Sequence, residues 1–97
     1  MMELQVDPRR IARRIEELGR IGRNAEGGMD RTTFTPAELE AREWLKARLR
    51  ELGLAVRVDA AANVWARREG GDAELPVIAF GSHVDSVPNG GIYDGAL

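Results

Sequence analysis

The stretch that decides the fold reads Pro76-Val-Ile-Ala-Phe-Gly-Ser-His-Val-Asp-Ser-Val-Pro-Asn-Gly-Gly-Ile-Tyr-Asp-Gly-Ala-Leu97. It begins with an apolar run, Val77 to Phe80, that does not alternate with polar residues and is bounded by a proline and a glycine. Such a run is typical of a short strand that is buried on both faces of an α/β sheet. Three side chains that can bind metals follow it: His83, Asp85 and, after a glycine-rich loop, Asp94. Since open α/β sheets bind ligands beyond the carboxyl ends of their strands, the stretch predicts a central strand that ends in a functional site.

Two helices are predicted upstream. Asp7 and Pro8 are an N-cap and a first helical residue, and an apolar stripe follows until Gly19. The stretch Thr35-Pro-Ala-Glu38 has the form of a capping box, and the second helix that it begins should end at Gly53.

Two more strands lie between the second helix and the central strand. Residues 54–59 alternate apolar and other side chains, and Val64 to Arg67 form a second strand, antiparallel to the first, across the turn at 59–63. The predicted fold class is therefore α/β, with two helices followed by three strands of a mixed sheet.

Length and composition limit the possible functions. The 97 residues make at most one small domain, with 43% hydrophobic and 31% charged residues. A net charge of -2 and a pI near 5.4 argue against a nucleic-acid partner. The lack of cysteine excludes disulfides, thiolate metal sites and cysteine nucleophiles, and it fits a reducing compartment. No signal peptide or membrane-spanning run is visible, so a cytoplasmic protein without a membrane partner is expected.

The connector of residues 20–34 is long for a compact domain, and Gly27-Gly28 interrupts any helix through it. Long connectors often line functional sites, so Arg31 is a candidate for binding a substrate carboxylate. The alternative is a surface arginine on a loop.

The terminal stretch contains residue types that occur in several kinds of functional site. A serine triad of Ser82, His83 and Asp85 is disfavoured because adjacent strand residues point to opposite faces and no nucleophile elbow is present. The glycine-rich loop lacks the lysine of a phosphate-binding loop. An imidazole and hard carboxylates at a strand end suit a zinc, cobalt or manganese site. A lone histidine is more often structural, so the residues alone leave a metal site open.

The motifs Gly81-Ser-His-Val-Asp-Ser-Val and Gly90-Gly-Ile-Tyr-Asp-Gly95 resemble the metal-site signature of zinc-dependent aminoacylase and carboxypeptidase-like amidohydrolases. They are most similar to the branch of N-carbamoyl-L-amino acid hydrolases, β-ureidopropionases and allantoate amidohydrolases. Upstream, the stretch Gly27-Gly-Met-Asp-Arg31 and the start of the second helix also resemble this branch. One departure is Ala62, where these enzymes usually have glycine before the asparagine.

The resemblance implies a function and a role for each site residue. His83 would bind one metal ion, Asp94 would bridge two, and the catalytic carboxylate Asp85 would orient and polarise His83. The complete enzyme would hold two divalent ions (Zn, or Mn, Co or Ni) and hydrolyse the carbamoyl or ureido C–N bond of a small molecule. It would also form a homodimer.

Members of this family are several times longer than this chain. The general-base glutamate, further histidines, the rest of the catalytic domain and the lid or dimerisation domain have no counterpart in residues 1–97. The chain is therefore expected to be the N-terminal portion of the catalytic, metal-binding domain, which would be inactive alone. The alternative is a non-catalytic truncated domain that binds a metal or a partner weakly.

Overall fold

The computed structural model describes residues 4–94. Its elements are the helices α1 (Pro8–Leu18) and α2 (Pro36–Glu51), followed by the strands β1 (Ala55–Val58) and β2 (Val64–Arg67). The α/β class and this order of helices and hairpin strands confirm the sequence prediction. None of the helices in the described part of the chain is long and apolar enough to cross a membrane.

Both helices begin at the predicted caps. The Asp7 carboxylate accepts hydrogen bonds from the backbone N–H groups of Arg9 and Arg10, which have no partners within the helix. In α2 the Thr35 hydroxyl accepts from the Glu38 N–H at 3.3 Å. The Glu38 carboxylate completes the box by accepting from the Phe34 N–H, one residue before the cap.

Helix α2 ends where the sequence predicts. Leu52 is its C-cap, and Gly53 follows with φ of 78°, the left-handed conformation that a glycine adopts at this position without a Cβ clash. The chain then turns directly into β1, which brings the hairpin against α2.

Strands β1 and β2 form an antiparallel pair in which Val58 lies opposite Val64 and Ala55 opposite Arg67. The turn between them closes on Asp59, whose carboxylate accepts from the N–H groups of Ala61 and Asn63 and from the indole N–H of Trp65. Helix α2 holds this turn through Arg42, which donates to the Ala62 carbonyl and pairs with Glu38 at 2.5 Å.

The third strand, predicted at Val77 to Phe80, is not formed among the described residues, whose single sheet consists of β1 and β2. Nor is the segment buried on two faces, because Ile78 is 90% and Phe80 99% exposed. That prediction is wrong for this structure. A strand needs neighbours that satisfy its N–H and C=O groups, and residues 4–94 place none beside this segment.

Close packing is concentrated where the connector meets the terminal loop. Among residues 4–94, the buried apolar side chains are Leu18 at the end of α1, Met29 in the connector and Ala41 in α2. Two buried polar side chains, Arg31 and Ser86, lie at the same junction. Buried side chains at this junction therefore support the segment that carries His83 and Asp85.

Candidate functional site

The connector pairs with the glycine-rich loop through its main chain. Met29 donates to the Gly90 carbonyl at 2.8 Å and accepts from the Gly90 N–H at 2.9 Å. A Cβ atom on Gly28 would lie 1.9 Å from Asn89 Oδ1, so only glycine allows this close approach without a shift. This pairing fixes the loop that leads to Asp94.

On the exposed side, three polar side chains also join the connector to the glycine-rich loop: Asn24, Asp30 and Asn89. Asn24 donates through Nδ2 to the Asp30 carboxylate and to Asn89 Oδ1, both at 2.9 Å. Asp30 also accepts from the Asn89 N–H at 2.7 Å. These hydrogen bonds, with Asn24 first and the Asn89 N–H second, lower the pKa of Asp30 below its usual range. The connector and the loop are thus joined by charge-assisted bonds.

Arg31 lies at the centre of the junction and is 1% exposed. Its Nε donates to the Val84 carbonyl at 2.7 Å, and its Nη1 donates to the Leu18 and Ile21 carbonyls at 2.8 and 2.7 Å. Burial lowers the pKa of Arg31, while the negative charges of Asp85 and Glu38 act in the opposite direction. The guanidinium therefore ties the end of α1 to the segment beside His83.

The main chain of Arg31 adds a second connection. The Ser86 N–H donates to the Arg31 carbonyl at 2.8 Å, and the Arg31 N–H donates to the Ser86 hydroxyl at 3.0 Å. The Ser86 hydroxyl lies 3.3 Å from the Met29 carbonyl, to which it donates. The Asp85 carbonyl and the Ser86 N–H belong to the same trans peptide and therefore point in opposite directions. Because the N–H points at Arg31, the carbonyl points away from Arg31 and toward His83.

His83 is exposed, and the Nδ1 edge of its ring is held by Asp85. The ring Nδ1 lies 3.0 Å from Asp85 Oδ1 and 3.0 Å from the Asp85 carbonyl oxygen. Both of these atoms are acceptors, so Nδ1 carries the hydrogen and the neutral ring presents an unprotonated Nε2. The other carboxylate oxygen, Asp85 Oδ2, accepts from the Thr33 hydroxyl at 2.6 Å.

The electrostatics of the pair follow from these bonds. The Asp85 carbonyl and then its carboxylate raise the pKa of His83, and the charge of Asp94 contributes further in the same direction. The Thr33 hydroxyl is the main cause that lowers the pKa of Asp85, although partial burial opposes it. Asp85 is thus held as a carboxylate next to the ring.

Both predicted metal ligands, His83 and Asp94, lie among the described residues, but they do not complete a site. His83 offers Nε2, and the Asp94 carboxylate packs near Gly90, where a Cβ would lie 3.3 Å from its Oδ2. Within residues 4–94, no group of three or more His, Cys, Asp or Glu side chains is arranged to hold a metal ion. The donor types suit zinc, which in catalytic sites takes three protein ligands, so further ligands are needed.

The structure brings His83 and Asp85 together as the sequence suggested. Arg31 has a supporting role that the sequence did not reveal, and its predicted contact with a substrate carboxylate stays a prediction. Thr33 and Ser86 were missed altogether. Their signals were weak, because a hydroxyl in a loop has no characteristic spacing and both act on residues more than fifty positions away.

Comparisons with known proteins agree with the motif. The N-carbamoyl-L-amino-acid amidohydrolase of Paenarthrobacter aurescens is 53% identical over 87 residues, which are 89% of this chain and 21% of that protein. The allantoate amidohydrolase of Bacillus subtilis (strain 168) is 40% identical over 82 residues, or 84% of this chain and 20% of that protein. No protein-family model matches the chain.

A solved structure extends the match to the fold. A hydantoinase/carbamoylase family amidase from Burkholderia ambifaria superposes with a TM-score of 0.90 at 37% identity, covering 95% of this chain and 23% of that one. The chain thus spans about a fifth of the length of the proteins that it matches. Over this length, the chain is a relative of the N-carbamoyl-L-amino-acid and allantoate amidohydrolases and of the hydantoinase/carbamoylase family amidases.

Proposed function

We propose that this chain forms part of a metal-dependent amidohydrolase that hydrolyses the carbamoyl or ureido C–N bond of an N-carbamoyl amino acid or a related ureido compound. The observation that carries the proposal is the His83–Asp85 pair, with Nδ1 engaged by a carboxylate and a carbonyl and Nε2 left as a lone-pair donor. This is the arrangement in which proteins present histidine to a metal ion. The names of the relatives supply the substrate class.

We further propose that His83 and Asp94 are two ligands of a site for two divalent ions, Zn or alternatively Mn, Co or Ni. Divalent ions bound there would supply Lewis acidity, which lowers the pKa of water and stabilises negative charge on a carbonyl oxygen. The residues of this chain orient the site: Asp85 fixes the tautomer and direction of the His83 ring. Asp94 follows the loop that the connector holds through Met29 and Gly90.

Arg31 contributes to this function through the segment that it holds. Its three hydrogen bonds to main-chain carbonyls keep the guanidinium between the end of α1 and Val84. The negative charge of Asp85 in turn favours the charged form of the guanidinium. In the complete enzyme, the missing ligands and the general base would come from the rest of the catalytic domain, and the enzyme would be a homodimer.

A chimera tests the proposal directly. The matched 87 residues of the Paenarthrobacter aurescens enzyme are replaced by those of this chain, and hydrolysis of an N-carbamoyl-L-amino acid is measured. The chimera should be active, whereas its His83→Ala variant should lose more activity than the roughly 10- to 100-fold typical of an orienting partner. An active His83→Ala chimera with its full metal content would contradict the proposal.

The same chimera separates the two carboxylates. If Asp94 bridges two ions, Asp94→Asn should lose metal stoichiometry as well as activity. Asp85→Asn should keep most of its metal at saturating concentration while kcat falls by roughly 10- to 100-fold, because it removes only an orienting partner. Metal content by mass spectrometry is read beside kcat. If Asp85→Asn empties the site while Asp94→Asn retains both ions, the two roles are reversed.

The alternative function, weak binding of a metal or partner by a non-catalytic domain, is favoured by the incomplete ligand set within residues 4–94. Two protein ligands leave the remaining coordination positions to water, so zinc should bind this chain no tighter than micromolar. Sequencing the gene beyond the codon for Leu97 distinguishes the two functions. A glutamate pair and spaced histidines there would support the hydrolase.

A further inference from the structure

The side chain of Thr33 makes a hydrogen bond to the Asp85 carboxylate. Its hydroxyl donates to Asp85 Oδ2 at 2.6 Å, the short distance expected when the acceptor is ionised. The two residues are 52 positions apart, so the bond exists only because the connector docks onto the terminal loop. It occupies one carboxylate oxygen and leaves the other, Oδ1, facing His83 Nδ1.

The surrounding bonds hold Thr33 in place. The neighbouring Arg31 is fixed by its main-chain and side-chain bonds to residues 84 and 86. On the other side, Thr35 caps α2 and donates through both its N–H and its hydroxyl to the Thr32 carbonyl. The Thr33 backbone is thus anchored at both ends, and its hydroxyl reaches Asp85 from a fixed point.

The carboxylate and the carbonyl of Asp85 are not equivalent partners for His83. The carbonyl is held through the Ser86 N–H, which donates to the Arg31 carbonyl, so its direction is set by the main chain. The carboxylate could rotate about the side-chain bonds of Asp85 if nothing held Oδ2. A charged acceptor also makes the ring a stronger metal ligand than a neutral carbonyl does.

We propose that Thr33 is a positioning residue, which holds the Asp85 carboxylate against His83 Nδ1 and so directs Nε2 toward the metal. It acts through Asp85, whose carboxylate its hydroxyl contacts. The metal part of this inference rests on the proposed function, whereas the holding of Asp85 by Thr33 does not.

The holding step is tested without metal on the full 97-residue chain, in which His83 is the single histidine. Thr33→Val removes the hydroxyl at nearly constant shape, and Thr33→Ser keeps it. Nuclear magnetic resonance of the imidazole nitrogens should show a protected Nδ1–H in the parent and in Thr33→Ser. In Thr33→Val, this proton should exchange faster with water. Identical ring signals in all three chains would overturn the proposal.

The consequence for metal binding is measured with zinc alone, by following the His83 signals during titration. Thr33→Val should weaken zinc binding by about 10-fold, within the range for loss of an orienting partner, and Thr33→Ser should restore it. Circular dichroism should give the same helix content for all chains, because Thr33 is exposed. Loss of helix in Thr33→Val alone would contradict a positioning role.

A double-mutant cycle shows whether Thr33 acts through Asp85. In an Asp85→Ala background, Thr33→Val should have no further effect on zinc affinity, since the hydroxyl has lost its acceptor. Additive losses would overturn the proposal. If His83→Ala leaves zinc affinity unchanged, the proposed function fails at the metal ligand, while the Nδ1–H measurement still decides the role of Thr33.

Discussion

The turn at residues 59–63 and the site at residues 83–86 are both organised around an aspartate, but their hydrogen bonds come from different distances. The Asp59 carboxylate accepts from Ala61, Asn63 and Trp65, all within six positions of it. Asp85 is held by Thr33 from 52 positions away. The turn can therefore form as soon as its own residues meet, whereas the site forms only when the connector docks.

This difference shows what each region depends on. The hydrogen bonds of the hairpin turn close only short loops, so their entropic cost is small. Changes elsewhere in the chain should therefore leave the turn intact. The site depends on one junction, where Met29, Arg31 and Thr33 contact the terminal loop. Damage to that junction should release His83 and Asp85 without unfolding the turn.

The largest expected effect follows loss of the Arg31 guanidinium. Arg31→Met removes the three hydrogen bonds from the guanidinium to the Leu18, Ile21 and Val84 carbonyls, and at about 1 kcal/mol for each the free energy of unfolding should fall by about 3 kcal/mol. Urea denaturation followed by circular dichroism measures this change. Arg20→Met, at an exposed position, is the control. Equal midpoints for the two variants would show that the junction does not limit stability.

A smaller effect, of opposite sign, is expected in the turn. Ala62 has φ of 68°, a conformation that is strained for a side chain with a Cβ. Ala62→Gly should relieve this strain, and after the added entropy of the unfolded chain the net stabilisation should be about 0.5 kcal/mol. Ala61→Gly is the control, since Ala61 is not among the residues with positive φ and should gain nothing. A gain of stability in Ala61→Gly alone would place the strain elsewhere.

The smallest effect concerns pH. Hydrogen bonds, from the Trp65 indole first and from Asn63 next, lower the pKa of Asp59 to about 2. A carboxyl whose pKa is lower in the folded state stabilises that state above its unfolded pKa, and this contribution is lost as the pH falls toward about 2. The tryptophan fluorescence of a Trp44→Phe chain, which reports Trp65, should therefore change between about pH 4 and pH 2. In that chain, Asp59→Asn should flatten this transition, and an unaltered curve would assign it to another group.

The predictable features of this molecule were those whose causes lie close together in the chain. Asp7 and Thr35 begin their helices because a side-chain oxygen accepts from N–H groups two or three residues ahead, a pattern that is visible in the sequence. The turn after β1 and the strand Val64–Arg67 were predicted for the same reason. Ala62 was singled out by its departure from glycine, and its positive φ explains why glycine suits that position.

The segment Val77 to Phe80 shows the limit of this reasoning. Its composition favours a strand, but a strand is completed by neighbours whose positions are not encoded in the segment itself. Among the described residues those neighbours are missing, so the apolar side chains are exposed.

By itself, the sequence determined the helix ends, the hairpin and the identity of the candidate site residues, because caps, turns and motifs are set by residues a few positions apart. Only the tertiary structure decided that Arg31 is buried and bonded to three main-chain carbonyls. The same is true of the bond from Thr33 to Asp85 and of the orientation of the Asp85 carbonyl by Ser86. The contacts of Arg31, Thr33 and Ser86 across the junction join residues more than fifty positions apart. Their partners are selected by the way the connector packs on the terminal loop, and no local pattern in the chain records that packing.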